Sequence, residues 1–205
     1  MPQSLQYTIK SFFLAKPKLL VIEPGFVTFG TAVLTNGQVQ KLMKANIAAI
    51  RFGVRGIRGY SFNFGRLYSI DIKSKEDDIV KIRFRSFYGV RKQLLDTMYL
   101  KIIKALQDNF IHEISRGYIK KFAVKENFTI LGITFTQEGL ILDKKWALIP
   151  WLDVSTKNYS TYYAVFSMTE PDKYKAFKYA NDWDTTVLYG VSRAILRDKG
   201  FWREQ

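Results

Sequence analysis

Arginine, glycine and aromatic residues are interleaved between Arg51 and Arg66, and these residue types together suit the binding of anions. The segment reads RFGVRGIRGYSFNFGR. Guanidinium groups form forked hydrogen bonds with phosphate, glycine lets the backbone approach an anion closely, and aromatic rings can stack on a ligand. The segment therefore predicts anion contact through Arg51, Arg55, Arg58 and Arg66. The alternative is a bent pair of strands in which the glycines mark a bulge and the arginines are only solvated.

A second basic group alternates with apolar residues in the segment that begins at Ile79. Successive side chains point to opposite faces of a strand, so Lys81, Arg83 and Arg85 form one cationic row, opposite an apolar row. Neighbouring charges about 7 Å apart repel one another, which favours an anionic partner. We assign this row to the same anion-binding surface as the arginines. A solvated strand face that discourages edge aggregation is the alternative interpretation.

Patterns typical of catalysis or metal binding are lacking. The chain has one histidine, His112, and no cysteine, so typical zinc sites and cysteine nucleophiles are excluded. Three glycines at positions 53, 56 and 59 depart from the GxGxxG spacing, and no helix pattern follows them. We predict no cofactor, no metal and no enzymatic activity. An enzyme that uses carboxylates is the least favoured function class.

The net charge of +14 is unevenly distributed along the chain. Residues 1–125 hold 22 Lys+Arg and 8 Asp+Glu, whereas residues 126–205 hold 10 of each. The whole excess therefore lies in the first part, which predicts one electropositive surface. Basic residues interrupt the apolar runs near the N-terminus, and no run approaches the ~18 uncharged residues that a membrane span needs. The expected location is the cytoplasm, or the periphery of a membrane.

The elements that position these residues are short strands followed by a helix. Alternation and turn residues predict strands in the first half at 18–22, 26–29, 39–43, 47–54, 61–68, 70–73 and 79–84, with hairpin turns at Pro24-Gly25 and Asn36-Gly37. A helical period then predicts a helix from Val90 to about His112. Its expected buried stripe is Leu94, Leu95, Met98, Ile102 and Leu106.

The second half repeats this order. Strands are predicted at 128–135, 140–142, 146–154, 159–168 and 174–179, and a helix from Asp184 to Asp198 that buries Val187, Leu188, Val191, Ile195 and Leu196. The repetition predicts two copies of one module, a basic one over 1–115 and a neutral, tryptophan-containing one over 116–205. The junction is expected in the polar stretch from Gly117 to Asn127. We expect the two copies to superpose.

The order of elements, the turn–strand pairs Gly25/Phe26 and Gly139/Leu140 and the two closing helices resemble the tandem bacterial pleckstrin-homology-like (PH-like) proteins. The resemblance covers nearly all of both copies. It implies a mainly β fold, α+β by content, with two β-barrel or sandwich modules that are each closed by a C-terminal helix. It also implies a binding role toward anionic membranes or peptides. The loop 30–38 lacks the basic residues that lipid-binding members carry there, so we do not expect a ligand at that loop.

The second copy contains all four tryptophans and several tyrosines. Exposed aromatic residues can anchor a protein partner, and Trp151, Tyr162 and Tyr163 are the interface candidates, with core filling as the alternative. We predict a non-enzymatic adaptor whose first module contacts an anionic membrane surface and whose second module contacts a protein or another copy of this chain. A nucleic-acid-binding protein that uses the same arginines is the alternative.

Overall fold

The computed structural model describes residues 4–10, 15–31, 39–59 and 62–202. The chain divides into two compact units, which we call unit 1 (residues 1–111) and unit 2 (residues 112–205). Each unit contains a four-stranded and a three-stranded antiparallel sheet, so the protein is mainly β. That residues 1–115 and 116–205 form two modules that fold independently stays a prediction.

Unit 1 begins with a four-stranded antiparallel meander. Its strands are β1 (Leu5–Ile9), β2 (Lys18–Glu23), β3 (Phe26–Thr31) and β4 (Val39–Met43). The sequence interpretation missed β1. The predicted turn at Pro24-Gly25 joins β2 to β3, where Glu23 pairs with Phe26. The predicted Asn36-Gly37 turn and most of the loop 30–38 lie outside the described residues.

Three longer strands form the second sheet of unit 1, with β6 in the centre. They are β5 (Ile47–Arg58), β6 (Asn63–Ser74) and β7 (Ile79–Phe87). The two strands predicted at 61–68 and 70–73 are one strand, because Ser69 pairs without a break with both neighbouring strands. In the β6–β7 turn, the backbone N–H groups of Glu76 and Asp78 each donate to Ser74 Oγ at 3.1 Å.

One face of this second sheet is apolar and faces the core of unit 1. Its buried side chains include Ile50, Tyr68, Ile70, Ile72, Val80, Ile82 and Phe84. Helix α1 (Lys92–Leu106) packs on this face, with the Tyr99 ring centroid 5.5 Å from that of Tyr68 and 6.4 Å from that of Phe84. The other face of the sheet, which we call the outer face, is the one that carries the basic residues.

The helix after β7 differs from its prediction in length and in orientation. A π-helical turn (Gln107–Ile111) and α2 (His112–Ala123) follow α1, so the predicted end near His112 and the start of the predicted junction are wrong. Ile102 and Leu106 are buried as predicted, but Leu95 and Met98 are only half-buried. Leu94 is 64% exposed, which contradicts its prediction.

The reason is the direction in which α1 is rotated about its axis. The buried residues of the helix are Tyr99, Ile102, Ile103, Ala105 and Leu106. With 3.6 residues per turn, Leu94 lies about 110° away from the centre of that group. The apolar residues of this segment fit more than one rotation of the helix about its axis. Leu94 and Leu100 lie at the two edges of the apolar stripe, and both are exposed to solvent.

Unit 2 begins with α2 and then repeats the order of unit 1. The first sheet contains β8 (Phe128–Ile130), β9 (Ile133–Phe135), β10 (Gly139–Ile141) and β11 (Ile149–Pro150). The second contains β12 (Val154–Asn158), β13 (Tyr162–Ser167) and β14 (Tyr174–Lys178). Helix α3 (Thr185–Asp198) closes the order and buries the five residues predicted for it. That the two copies superpose stays a prediction.

Two predicted strands of unit 2 are wrong. The segment 128–135 is a hairpin, because Leu131 and Gly132 both have positive φ (52° and 71°), as a two-residue turn that matches strand twist requires. Most of the segment 146–154 is turn, and only Ile149–Pro150 pairs as a strand. The turn that ends at Asp153 places Trp151 in the core rather than on a strand face.

The packing of α1 predicts which of its apolar residues stabilise unit 1. Ile102→Ala removes a fully buried side chain and should lower the free energy of unfolding by about 2–5 kcal/mol. Leu94→Ala changes an exposed position and should cost less than about 0.5 kcal/mol. Urea unfolding of the two variants and the parent chain measures both effects. Equal losses in the two variants would contradict the assigned rotation of α1.

Candidate anion-binding surface

The outer face of the β5–β7 sheet consists of rungs of three residues, one from each strand. Residues paired directly across antiparallel strands share a face, so the register defines each rung. After the rung Ala49/Lys73/Ile79 beside the β6–β7 turn, four more rungs follow, which we number first to fourth: Arg51/Asp71/Lys81, Gly53/Ser69/Arg83, Arg55/Leu67/Arg85 and Ile57/Gly65/Phe87. Five of the seven predicted anion-binding residues therefore lie on this face.

The first rung holds the one acidic residue of these four rungs. Asp71 lies on the central strand, and its side chain is only 4% exposed. Arg51 Nε donates to Asp71 Oδ2 at 2.9 Å, and Arg83 Nη2 lies 2.5 Å from Asp71 Oδ1. The Asp71 carboxylate thus fixes two of the predicted arginines in place, and its negative charge neutralises part of their positive charge.

Arg83 also lies flat against the sheet. Its Nη1 donates to the carbonyl oxygens of Ile70 (3.0 Å) and Ile82 (2.9 Å). Ser69, its neighbour in the second rung, is buried and donates through Oγ to Gly53 O at 3.0 Å. These contacts make Arg51 and Arg83 structural members of the face, since their guanidinium groups already have hydrogen-bond partners within it.

The third rung presents positive charge without a carboxylate in the rung. Arg55 and Arg85 are exposed on the two outer strands, and the half-buried Leu67 lies between them. Lys81, on the same face, is also exposed. Arg55, Arg85 and Lys81 are therefore the exposed members of the five predicted residues on this face.

Arg66 does not join this face, and Arg58 lies just beyond its last rung. Arg66 points to the helix side of the sheet, where its Nη1 lies 3.4 Å from Asp96 Oδ1. The Tyr68 hydroxyl donates to the same oxygen at 2.5 Å, and its pKa is raised by burial first and by Asp96 second. Arg58 follows an irregularity in the strand pairing and is exposed at the end of β5. The register thus places Arg66 on the face opposite the five residues of the outer face, and an anion-binding site formed by all seven residues stays a prediction.

An aromatic group, which we call the aromatic end, lies at one end of the sheet and consists of Phe62, Phe64, Phe87 and Tyr88. The Phe64 ring centroid lies 6.3 Å from that of Phe62 and 6.0 Å from those of Phe87 and Tyr88. Phe62 is 62% exposed and Tyr88 is 77% exposed. Sequence analysis missed Phe87 and Tyr88 as part of this surface. The signal that could have found them is the hairpin pairing that brings residue 65 opposite residue 87.

The opposite end of the sheet is acidic. The β6–β7 turn carries Lys75, Glu76, Asp77 and Asp78, all exposed, so it holds three carboxylates and one ammonium group. Asp77 forms an ion pair with Lys73 at 2.7 Å, and the hydrogen bond and charge of Lys73 lower the pKa of its carboxyl. The outer face is consequently graded from an acidic turn, through an ion-paired rung and a basic rung, to an apolar aromatic end.

The division of the chain also changes the distribution of charge. Unit 1 holds 18 Lys+Arg and 7 Asp+Glu, a formal charge of +11, and unit 2 has the remaining +3. The prediction that the whole excess lies on the first module is wrong in this respect, because α2 with Arg116, Lys120 and Lys121 belongs to unit 2.

Two of the three predicted interface residues of unit 2 lie in its core. Trp151 is buried, and its Nε1 donates to Thr136 O at 3.1 Å. Tyr163 is fully buried, and burial raises the pKa of its hydroxyl to about 12. Neither can contact a partner in the folded unit. Tyr162 is half-buried and stacks on Tyr159 with ring centroids 4.3 Å apart, so it stays an interface candidate.

Across the part of the chain that the structure describes, no helix is both long and apolar enough to cross a membrane. Within the same ranges, no group of three or more His, Asp or Glu side chains is arranged to hold a metal ion. No family model matches the chain, and no curated protein has a significantly similar sequence.

The buried carboxylate predicts a specific loss of stability. Asp71→Asn removes the charge that holds Arg51 and Arg83, and it should lower the free energy of unfolding by about 1–3 kcal/mol. The loss of stability should be smaller than that caused by breaking a fully buried ion pair, because both arginines are partly exposed and can be solvated by water. Chemical denaturation measures the effect. The matched control is Asp77→Asn, at an exposed ion pair, which should leave the transition unchanged, and the same loss in both variants would refute the special role of Asp71.

Proposed function

We propose that the protein is a non-enzymatic binding protein of two PH-like modules, whose first module attaches peripherally to an anionic membrane surface. The attaching surface is the end of the β5–β7 sheet that carries the rung Arg55/Leu67/Arg85 and the aromatic end. The second module contacts a protein, and Tyr162 with its stacking partner Tyr159 is the part of the predicted interface that solvent can reach.

The observation that carries this proposal is the basic rung next to the aromatic end. Arg55 and Arg85 offer exposed guanidinium groups, and the next rung, Ile57/Gly65/Phe87, is apolar and leads to the aromatic end. A membrane interface offers these two environments in the same order, with anionic headgroups above a less polar layer. Each basic residue near such a surface contributes about 1 kcal/mol of binding free energy.

A nucleic acid would need a different arrangement of rings. Proteins that bind single strands place aromatic rings along the basic groove so that successive bases can stack on them. On the four outer-face rungs Phe87 is the one aromatic residue, and its ring already stacks on Phe64. The basic surface alone does not separate the two polyanions, and nucleic acid is therefore an outcome of the test.

The test is to neutralise the accessible charges while leaving Arg51 and Arg83 with Asp71. The triple variant Arg55→Gln, Arg58→Gln, Arg85→Gln should weaken binding to vesicles of mixed anionic and neutral lipid by roughly 100-fold, about 1 kcal/mol for each residue. Cosedimentation at two salt concentrations measures the effect. Binding of the parent chain should fall as salt rises, since salt screens the attraction.

The matched control removes the same charge elsewhere in unit 1. Lys10, Lys101 and Lys104 are exposed, and the last two lie on α1, which packs on the opposite face of the sheet. Their replacement by Gln should change vesicle binding by much less. Equal effects of the two triple variants would mean that vesicle binding depends only on net charge, which would contradict a specific surface. Tighter binding of single-stranded or duplex DNA than of vesicles at matched salt would overturn the proposal in favour of nucleic acid.

A further inference from the structure

We propose that the aromatic end of unit 1 inserts into the boundary between headgroups and acyl chains of an anionic bilayer. The proposal rests on the proposed membrane function and adds a depth and an orientation to it. The β5–β7 sheet then stands with its aromatic end in the lipid and its acidic turn directed away from the membrane.

The apolar surface at this end is continuous. Phe64 contacts the rings of Phe62, Phe87 and Tyr88, and the apolar surface continues along the chain to Val90, which is 65% exposed. Backbone hydrogen bonds fix the segment: Tyr88 N donates to Phe64 O at 2.7 Å and Val90 N donates to Phe87 O at 2.9 Å. The exposed rings are therefore held on the frame of the sheet.

The backbone holds one ring outward in an unfavourable conformation. Tyr88 has φ 48°, in the left-handed region that a bulky residue rarely adopts. Its side chain is the most exposed large hydrophobic residue of unit 1 among the described residues, at 77%. Gly89 also has positive φ (74°), and with the hydrogen bond from Val90 N to Phe87 O the two residues form the centre of a tight turn of type I′. This turn explains the conformation of Tyr88, and it holds the ring outward in solvent.

Cationic residues border the aromatic end. Arg58 is exposed at the end of β5, Arg91 and Lys92 are exposed at the start of α1, and Arg85 lies two residues before Phe87. Aromatic residues with flanking Lys and Arg are the combination that membrane interfaces favour, since the rings enter the interface and the charges meet anionic headgroups. This complementarity of charge favours a bilayer over an apolar protein groove.

The acidic turn fixes the direction of the sheet. Glu76, Asp77 and Asp78 lie at the other end of β7, which spans eight residue steps, or about 26 Å at 3.3 Å per residue. At that distance, well beyond the Debye length of about 8 Å, the acidic turn escapes repulsion by the membrane. The gradient of charge along the sheet therefore sets one orientation.

The absence of cysteine from the chain allows a direct test. Single variants Phe62→Cys and Tyr88→Cys are labelled with the environment-sensitive fluorophore NBD, and Asp77→Cys is the matched control at the acidic turn. On vesicles of mixed anionic and neutral lipid, the labels at 62 and 88 should shift to the blue and gain several-fold in emission. Nitroxide groups on the acyl chains should quench them, and the label at 77 should not respond.

Three outcomes would overturn the insertion. Vesicle binding with the labels at 62 and 88 still in water would refute it while leaving the proposed function intact. No vesicle binding by the unlabelled parent chain would remove both proposals. A blue shift that depends on protein concentration without vesicles would assign the aromatic end to contact between copies of this chain.

A second variant makes the same distinction without a label. Phe62→Ser, Tyr88→Ser changes two exposed residues, so the unfolding transition should be retained. Its binding at low salt should fall only slightly, because the arginines remain, but its binding at high salt should fall about tenfold relative to the parent chain. Unchanged binding at high salt would contradict insertion.

Discussion

The antiparallel register of β6 with its two neighbours is the constraint on which the candidate surface depends. Because side chains alternate between faces, a shift by one residue would move every arginine of the outer face into the core. Nine consecutive pairs with β7, from Gly65 to Lys73, fix the register. Burial of the apolar face against α1 stabilises it, so the position of each charge follows from packing on the opposite side of the sheet.

Asp71 has a second organising role within this frame. An acidic residue at the centre of a basic face binds Arg51 and Arg83, so that Arg55 and Arg85, two rungs away, present the exposed charge. The result is a graded face rather than a uniform basic patch. Such a gradient distinguishes an oriented attachment to a membrane from nonspecific attraction by the net charge of unit 1, which would act on any polyanion.

Local patterns in the sequence predicted most elements of unit 1 and the cationic row of β7, because alternation and turn residues are local signals. The predictions were less accurate where the structure depends on pairing between residues that are distant in the sequence. Arg66 was assigned to the wrong face because its direction depends on the register between β5 and β6. Leu94 was placed in the core because an apolar stripe does not fix the rotation of a helix. Trp151 and Tyr163 were assigned to a surface because aromatic residues suit both interfaces and cores. A turn places Trp151 in the core of unit 2, and Tyr163 lies on β13 with its ring centroid 5.4 Å from that of Tyr189 on α3.

The central claim is that the proposed membrane-facing surface is one end of the β5–β7 sheet. Hydrogen–deuterium exchange of the parent chain, with and without anionic vesicles, tests this claim most directly. The backbone at 57–59, 62–65 and 85–90 should gain protection on vesicles. The turn at 75–78 and the strands of unit 2 should exchange as they do in solution. Protection of the acidic turn, or protection confined to unit 2, would contradict the proposed surface.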